Sequence, residues 1–493
     1  MKIKGILLIV AIMATVGVAY AQDDRPTFEE YLKSKQQGFN QYQKQKEDDF
    51  NAFRQQANAQ FSAKMAEAWK LFNMEPPKED PIIPDPDQPL VSDDKPVIPS
   101  LPVKPSGVIA PIPNEPHKPQ QRPSPTLPEI PQPSVNMFTF NFFNTSCKVR
   151  LDNSLKFRLS NVDEESVSAV WQRLSGKASD ALVEDCFRLI DEMQLCDWAA
   201  ISLFKALGDA WLGKDSNEAV LMQMYLITQT GYKARIGRKG DNLVVLLAFD
   251  GQVFRLPYYK IDGVEFYNIT EKKNDKGCYI FNMSFPSEQT ASLRPRHLPA
   301  LAESKVGSKT FSAKHYLEMT VKLSVNQNLM DFYATYPHCR WDNYVYAGLS
   351  ENIKAVLYPV LRKAINGKSV PEAADRLLHF MHTAFNYKTD YQQFGYERSL
   401  FGDESFFHPY NDCEDRAILY SILVRDLLGV DVLLLEYSDH ISTAVCFPAK
   451  VEGSYLEMDG KQYLLCDPTY IGSHIGQVAE PYRNVQPSVI KIQ

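Results

Sequence analysis

Beyond residue 21, this sequence of 493 residues lacks any apolar run long enough to cross a bilayer, which takes about 20 apolar residues. No membrane span is therefore expected after that point. An excess of positive charge is also missing, because 53 Lys and Arg stand against 60 Asp and Glu, for a net charge of −7. This balance does not suggest a nucleic-acid partner.

Cysteine is sparse, with eight residues in the whole chain, so the composition is not that of a disulfide scaffold. Cys446 and Cys466 lie on strands predicted to be neighbours, where they are either bridged or simply buried. A glycine-rich phosphate loop is absent too. Gly367-Lys368-Ser369 has Arg362 at the position where such a loop needs a glycine.

The first segment is the exception to the lack of apolar runs. Lys2 and Lys4 precede an apolar run from Ile6 to Val18, which Ala19-Tyr20-Ala21 ends. A basic start, a short apolar stretch and small residues at its end are typical of a secretory signal peptide. We therefore predict a signal peptide at 1–21 and an exported protein, periplasmic or secreted.

Residues 22–74 carry an aromatic side chain every eleven positions. The series consists of Phe28, Phe39, Phe50, Phe61 and Phe72, with Tyr31, Tyr42 and Phe53 three positions after its first three members. Eleven residues make three helical turns, so the period predicts one long helix with a narrow aromatic stripe. The intervening residues are polar, and such a helix is weakly held unless its stripe packs on something. We expect self-association or docking on a partner surface.

Residues 75–134 are rich in proline, since nineteen of the thirty-two prolines lie between Pro76 and Pro133. A segment of this composition does not build a packed core and favours the polyproline II conformation. At roughly 3.1 Å per residue it would reach up to about 180 Å. We predict a semi-rigid linker that holds the helix apart from the rest of the chain.

Three residue types that acyl-transfer chemistry uses together occur in order in the C-terminal part. Cys413 follows an N-cap candidate, Asn411 or Asp412, and opens a helical pattern, where the positive end of the helix dipole favours thiolate. His440 lies between two predicted strands, and Asp467 ends a third. This order predicts a triad in which the carboxylate bonds the far ring nitrogen and orients the imidazole.

The segments around these residues resemble the transglutaminase-like superfamily. The matching pieces are Asn411-Asp412-Cys413-Glu414-Asp415-Arg416-Ala417, Asp439-His440 and Cys466-Asp467-Pro468-Thr469. The resemblance implies a papain-like fold and a triad used for acyl transfer, either to water or to an amine. By position it makes Cys413 the nucleophile, His440 the general base and acid, and Asp467 the orienting group.

The function implied is a cysteine peptidase or amidase that acts on peptide or carboxamide bonds through a thioester. Two alternatives stay open: a protein-glutamine acyltransferase that cross-links proteins, and a non-catalytic binding or assembly scaffold. The expected partner is a peptide or protein substrate, and no cofactor is implied. Gln393, in the loop before Cys413, is a candidate oxyanion donor, with ordinary loop packing as the alternative.

Charge around the nucleophile works against the thiolate. Asp412, Glu414 and Asp415 would raise the pKa of a neighbouring thiol unless Arg416 and the helix terminus offset them. Asp412 and Arg416 are spaced to pair across one helical turn.

A pair of histidines, His379 and His382, lies three residues apart on a predicted helix. No third ligand has a suitable spacing in the sequence, so no metal site is predicted.

An internal repeat with an offset near 190 residues organises the rest of the chain. The matches include Phe142-Phe143 with Phe332-Tyr333, Gly231 with Gly429, and Asp262-Gly263 with Asp459-Gly460. At the triad positions the first copy has Asp215, Asn242 and either Asn268 or Ile269, none of which forms a thiol–imidazole pair.

The predicted organisation after the linker is therefore a degenerate domain at 135–275, a β-rich connecting region at 276–326 and a catalytic domain at 327–493. The predicted fold class is α+β, with a papain-like or transglutaminase-like core in two tandem copies, preceded by the long helix and the proline-rich linker.

Overall fold

The computed structural model describes residues 28–81, 86–92, 102–110, 136–270 and 277–492, and the predicted signal peptide lies outside them. The chain divides into two units, Met1–Ala52 with Arg122–Ile130, and Phe53–Gln121 with Pro131–Gln493. Of the first unit, only the helical residues 28–52 are described. Among the residues of the described ranges, no helix has the length and apolar character needed to span a membrane.

The elements are a mixture of helices and strands, which agrees with the predicted α+β class. The helices are α1 Phe28–Met65, α2 Glu164–Leu174, α3 Asp180–Glu192, α4 Asp197–Leu212, α5 Asn217–Gln229, α6 Gln327–Tyr333, α7 Trp341–Ala347, α8 Glu351–Ile365, α9 Val370–Ala384, α10 Asp390–Gln393, α11 Glu404–Phe407 and α12 Cys413–Leu428. The strands are β1 Lys70–Phe72, β2 Pro102–Val103, β3 Gly107–Ile109, β4 Met137–Phe142, β5 Thr145–Arg150, β6 Ala234–Lys239, β7 Asn242–Leu247, β8 Tyr258–Ile261, β9 Val264–Asn268, β10 Cys278–Ile280, β11 Lys305–Ser312, β12 Thr320–Asn326, β13 Val432–Glu436, β14 Ile441–Cys446, β15 Tyr455–Met458, β16 Lys461–Cys466 and β17 Ser488–Lys491.

Two sheets share one strand order. The N-terminal sheet runs β1-β10-β6-β7-β9-β8, and the C-terminal sheet runs β2-β15-β16-β14-β13-β17-β3. When β6 to β10 are matched in chain order with β13 to β17, the five central strands have the same neighbours, and every one of those pairs is antiparallel. Each set follows a helix, α5 or α12, that packs on its first two strands.

Two of the sequence matches fall at equivalent places in these sheets. Gly231 and Gly429 follow α5 and α12 with φ of 90° and 67°, and Asp262-Gly263 and Asp459-Gly460 are the two-residue turns that join β8 to β9 and β15 to β16. The first match is wrong, because Phe142 ends strand β4 whereas Phe332 lies in helix α6. Both positions are buried aromatic residues, which is why the sequence aligned them.

The proline-rich segment is not a free spacer in its described parts. Strand β2 pairs with β15 and strand β3 with β17, so this segment supplies both edge strands of the C-terminal sheet. Residue Glu75 bridges Tyr258 of the N-terminal sheet, and Lys78 forms an ion pair with Glu265 at 2.6 Å. The composition predicted a spacer, but proline is also compatible with the start of an edge strand, where its missing N–H is not needed for a hydrogen bond to a neighbouring strand.

The long helix is shorter than predicted and it docks. It ends at Met65 rather than at residue 74, because Lys70–Phe72 becomes strand β1 and pairs with β10. Phe61 is 1% exposed, with ring centroids 5.0 Å from Trp171 and 4.8 Å from Phe281. This member of the aromatic series thus packs within the chain rather than on a separate partner, whereas the side chains of Phe28 and Phe39 lie outside the described residues.

We expect Phe61→Ala to destabilise the protein by about 3–5 kcal/mol, because it empties a buried aromatic site. Phe53→Ala is the matched control, since Phe53 lies on the same helix and is 51% exposed, and it should cost less than about 0.5 kcal/mol. Urea unfolding of both variants measures the difference. Equal loss in the two variants would contradict the docking of this helix.

None of the eight cysteines, all of which lie in the described ranges, forms a disulfide bond, and seven are buried whereas Cys446 is partly exposed. Cys446 lies opposite Tyr463 and Cys466 lies opposite Thr443 in the β14–β16 pair. The question that the sequence left open is thereby answered, because the two cysteines are not bridged to each other.

Candidate functional site

Helix α12 positions Cys413 as its first residue. Asp412 occupies the N-cap position, as predicted, but its side chain makes no cap bond, because its Oδ2 accepts from the backbone N–H of Asp390 at 2.8 Å. At the other end, Gly429 adopts the left-handed conformation with φ 67° and ψ 31°, and its N–H donates to the carbonyl of Arg425 at 3.0 Å. The helix therefore begins and ends where the sequence pattern predicts.

At the adjoining ends of α12, β14 and β16, the structure bonds His440 to Asp467 and places Cys413 against the residue that follows His440. His440 is the last residue of the loop between β13 and β14, and its Nε2 lies 2.8 Å from Oδ2 of Asp467, which directly follows β16. The backbone N–H of Ile441, the residue after His440, donates to the Sγ of Cys413 at 3.2 Å. An N–H bond to sulfur favours the thiolate over the thiol.

Asp467 is held by three donors. Besides His440, the backbone N–H groups of Thr469 and Tyr470 donate to its Oδ1 at 2.9 and 3.2 Å. Burial alone would raise the pKa of Asp467, but the charge and hydrogen bond of His440 and the Thr469 bond hold that pKa below its ordinary value. Asp467 is thus a carboxylate that accepts a hydrogen bond from Nε2 of His440. The other ring nitrogen, Nδ1, is buried and has no hydrogen-bond partner.

Two tyrosines that sequence reasoning missed pack together beside the imidazole, with their own ring centroids 4.8 Å apart. The ring of Tyr482 stacks on His440 with centroids 5.0 Å apart and planes at 15°, and Tyr437 lies 6.2 Å away at 27°. Cys413, His440 and Asp467 are only 0%, 2% and 5% exposed. The site is therefore covered in this conformation. Neither tyrosine belongs to a motif, and only the fold brings residue 482 to the loop of residue 440.

The acidic residues beside Cys413 are buried, and burial changes how much negative charge they place near the thiol. Burial raises the pKa of Asp412 and raises that of Asp415 well above its ordinary value, so these groups retain protons more readily than exposed carboxyls. The negative charge near the thiol is therefore smaller than the sequence implied. Glu414 Oε2 lies 3.7 Å from the Cys413 sulfur and accepts from the thiol.

Arg416 does not make the predicted contact with Asp412. Its Nη2 donates to the carbonyl of Phe385 at 3.1 Å, and its guanidinium lies 5.5 Å from the ring centroid of Tyr387. Burial lowers the pKa of Arg416 to about 10, so the residue remains a buried cation at neutral pH.

Gln393 braces the loop before the nucleophile. Its Nε2 donates to the carbonyl of Tyr410 at 3.3 Å, and its Oε1 accepts from the N–H of Tyr410 at 3.2 Å. Both ends of the amide are thus engaged with one backbone residue. Ordinary loop packing, the alternative raised from the sequence, describes this geometry.

Two groups of side chains in the described ranges could hold a metal ion. Ligand atoms of Asp390, Asp412 and Glu414 lie within 4.8 Å of one another, a set of oxygens that suits a hard cation. Asp375, His379 and His474 meet the same distance limit. This second group does not contain His382, the residue paired with His379 from the sequence, and it takes His474 from the loop after Asp467 instead.

His382 lies one helical turn from His379 on α9 and contacts the backbone of Asp467. Its Nε2 lies 2.9 Å from the backbone carbonyl of Asp467, so that nitrogen carries the proton and donates. Burial lowers the pKa of His382 from 6.5 to about 4. The ring is therefore neutral near pH 7.

This shift makes stability pH-dependent. Since the folded pKa is below the unfolded one, the unfolded chain binds more protons between about pH 4 and 6.5, and stability is lost as pH falls through that window, by roughly 3 kcal/mol for this group. We expect His382→Gln to flatten the dependence of the free energy of unfolding on pH there. His297→Gln, at an exposed histidine, should retain the wild-type slope. An unchanged slope in His382→Gln would refute the assignment.

The N-terminal sheet offers no equivalent site at the positions predicted for the first copy. Strands β6 and β7 are joined by a two-residue turn, residues 240–241, where β13 and β14 are joined by residues 437–440. Asp215 pairs with Lys205 at 2.7 Å, and Asn268 Oδ1 accepts from the N–H of Thr270. The loop that carries His440 therefore has no counterpart there.

Comparison with protein-family models, curated proteins and solved structures finds no match for this chain. The resemblance to the transglutaminase-like superfamily stays a prediction.

Proposed function

We propose that this chain is an exported thiol acyl-transfer enzyme, a cysteine peptidase or amidase that uses Cys413, His440 and Asp467. The observation that carries the proposal is the 2.8 Å bond from His440 Nε2 to Asp467, together with the 3.2 Å bond from the N–H of Ile441 to the Cys413 sulfur. A helix entrance, an imidazole with one oriented nitrogen and a buried carboxylate are the parts that nucleophilic thiol catalysis requires.

The reaction follows from these roles. His440 Nδ1 takes the proton of the Cys413 thiol, and the resulting thiolate attacks the carbonyl carbon. A C–S bond forms, and the oxygen that gains charge is stabilised by backbone N–H groups at the entrance of α12. The C–N bond then breaks as His440 gives its Nδ1 proton to the leaving amine. Water then attacks the thioester carbon while His440 Nδ1 takes one of its protons. The C–S bond breaks, which releases the acid, and the proton on His440 returns the sulfur of Cys413 to its starting state.

Asp467 acts through the ring. Its carboxylate keeps the Nε2 proton in place, so Nδ1 is the nitrogen that exchanges protons, and it stabilises the imidazolium that forms. The lowered pKa of Asp467 supports this role, because the group stays ionised throughout the cycle.

The common strand order of the two sheets supports the tandem arrangement. We infer that the two sheets belong to two copies of one transglutaminase-like, papain-like domain, of which only the C-terminal copy carries a triad. The four-residue loop ending at His440 is the local difference that separates a reactive copy from an inert one.

The test is the fate of the acyl group. Purified mature protein is incubated with glutamine-containing peptides, peptide amides and a fluorescent primary amine, and products are read by mass spectrometry. Release of amine or ammonia with formation of a free acid supports the hydrolase, whereas incorporation of the fluorophore identifies the cross-linking acyltransferase. Absence of both reactions, with Cys413 no more reactive than Cys446, would favour the scaffold and overturn the proposal.

A further inference from the structure

The group formed by Asp375, His379 and His474 lies outside the triad, and nothing in the proposed reaction uses it. Asp375 and His379 are four residues apart on α9, so they share one face of that helix. His474 comes from the loop that follows Asp467. Four of the nine histidines gather here, because the rings of His315 and His382 lie 6.0 and 5.5 Å from that of His379.

The separations between the nitrogen and oxygen atoms of this group are close to those between the ligands of a bound metal ion. His474 Nδ1 lies 2.9 Å from Asp375 Oδ2, and His379 Nε2 lies 3.8 Å from that same oxygen. A tetrahedral zinc ion with bonds of about 2.0–2.1 Å needs ligand atoms about 3.3 Å apart. Both observed separations are within about half an ångström of that value, so small rotations of the side chains suffice.

The surroundings favour an ion over a simple hydrogen-bond cluster. His379 is 7% exposed, and its Nε2, the ring nitrogen that lies 3.8 Å from Asp375 Oδ2, is beyond hydrogen-bond distance of that oxygen and at a distance that a shared ion would bridge. Asp375 Oδ1 is already fixed by the N–H of Ile475 at 3.0 Å, which leaves Oδ2 directed at the two imidazoles. The side chain of His474 is 56% exposed, so solvent ions can reach the group.

We propose that Asp375, His379 and His474 bind a divalent transition-metal ion of the zinc type, the class that imidazole and carboxylate ligands suit. Water or the exposed His315 completes the coordination. The ion would tie the loop that follows Asp467 to helix α9, one turn from His382, whose Nε2 donates to the Asp467 carbonyl. The bound ion would have a structural role, and this proposal does not depend on the proposed function.

The test titrates the chelator-treated full-length mature protein with Co²⁺, followed by visible absorption, and with Zn²⁺, followed by calorimetry. The wild type should bind one ion with a tetrahedral spectrum that lacks a thiolate charge-transfer band, which excludes the cysteines as ligands. His474→Ala should bind on the order of 100-fold more weakly, because one of three protein ligands is lost. His297→Ala, at an exposed histidine outside the group, should bind as the wild type does.

A thermal melt provides the second readout. Zn²⁺ should raise the Tm of the wild type and of His297→Ala but leave that of His474→Ala unchanged, since only a native site couples binding to folding. Asp375→Asn keeps the side-chain volume and should weaken binding as well. The proposal is overturned if the wild type binds neither ion, if His474→Ala binds as tightly as the wild type, or if the Co²⁺ spectrum shows thiolate ligation.

Discussion

Iodoacetamide added to the native protein at neutral pH will alkylate Cys413 ahead of the other cysteines, and His440→Ala will slow that alkylation by about 10²-fold or more. The thiolate is the reacting species. The helix entrance and the N–H of Ile441 favour it, and in the proposed mechanism the imidazole of His440 takes its proton. Removing the imidazole leaves the first two effects and deletes the base.

Cys446 provides the internal control, because it is the one cysteine with appreciable exposure. If exposure alone governed reactivity, Cys446 would react first. Peptide mapping of the alkylated protein separates the two sites, and Cys446→Ala should leave the rate at Cys413 unchanged. Faster modification of Cys446 in the wild type, with no effect of His440→Ala on Cys413, would end the enzymatic interpretation.

The ring of Tyr482, which packs on His440, also affects the alkylation rate of Cys413. Tyr482 stacks on His440 and is itself buried, so the reagent must displace this ring or pass beside it. We therefore include Tyr482→Ala as a background in which the face of the imidazole is open. A slow rate in the wild type that rises in Tyr482→Ala, and falls again when His440→Ala is added, identifies access as the limit rather than lack of activation.

Asp467→Asn should lower kcat/KM by about 10³–10⁴-fold while the protein stays folded. The amide oxygen can still accept from the N–H groups of Thr469 and Tyr470, which places the amide nitrogen where Oδ2 now lies. That nitrogen donates rather than accepts, so His440 must carry its proton on Nδ1. A ring in that tautomer cannot take the proton of Cys413.

Asp439→Asn is the matched control for this second result, because it makes the same chemical change next to His440 without touching the ring bond. Its kcat/KM should stay within a few-fold of the wild type. Circular dichroism and urea unfolding of both variants establish that each is folded. If Asp467→Asn retains wild-type turnover, Asp467 is a structural residue and the triad assignment fails.

The local parts of the site were predictable from the sequence. The extent of α12 follows from the apolar spacing and from Gly429, and Cys413 at its entrance follows from the N-cap position. The strands on both sides of His440 and the strand that ends before Asp467 also lie where their patterns indicate. Such features depend on neighbours within a few positions, which is the range over which sequence patterns carry information.

The remaining features depend on contacts between distant segments. The proline-rich segment was predicted to be a spacer from its composition, yet β2 and β3 complete the edges of a sheet built from residues after 430. The contact of Tyr482 with His440 and that of His474 with His379 likewise join segments that are distant in the sequence. No local spacing encodes them, because the partners are brought together only when the sheet closes.

The sequence alone therefore determined the mixed α+β class, the helix that opens at Cys413 and the order of thiol, imidazole and carboxylate, since each is written in short-range pattern and residue type. The tertiary structure decided that His440 and Asp467 bond, that the acidic neighbours of Cys413 are buried, and that two sheets repeat one strand order. Burial and long-range pairing set those outcomes, because a side chain acquires its dielectric surroundings and its partners only from the packed fold.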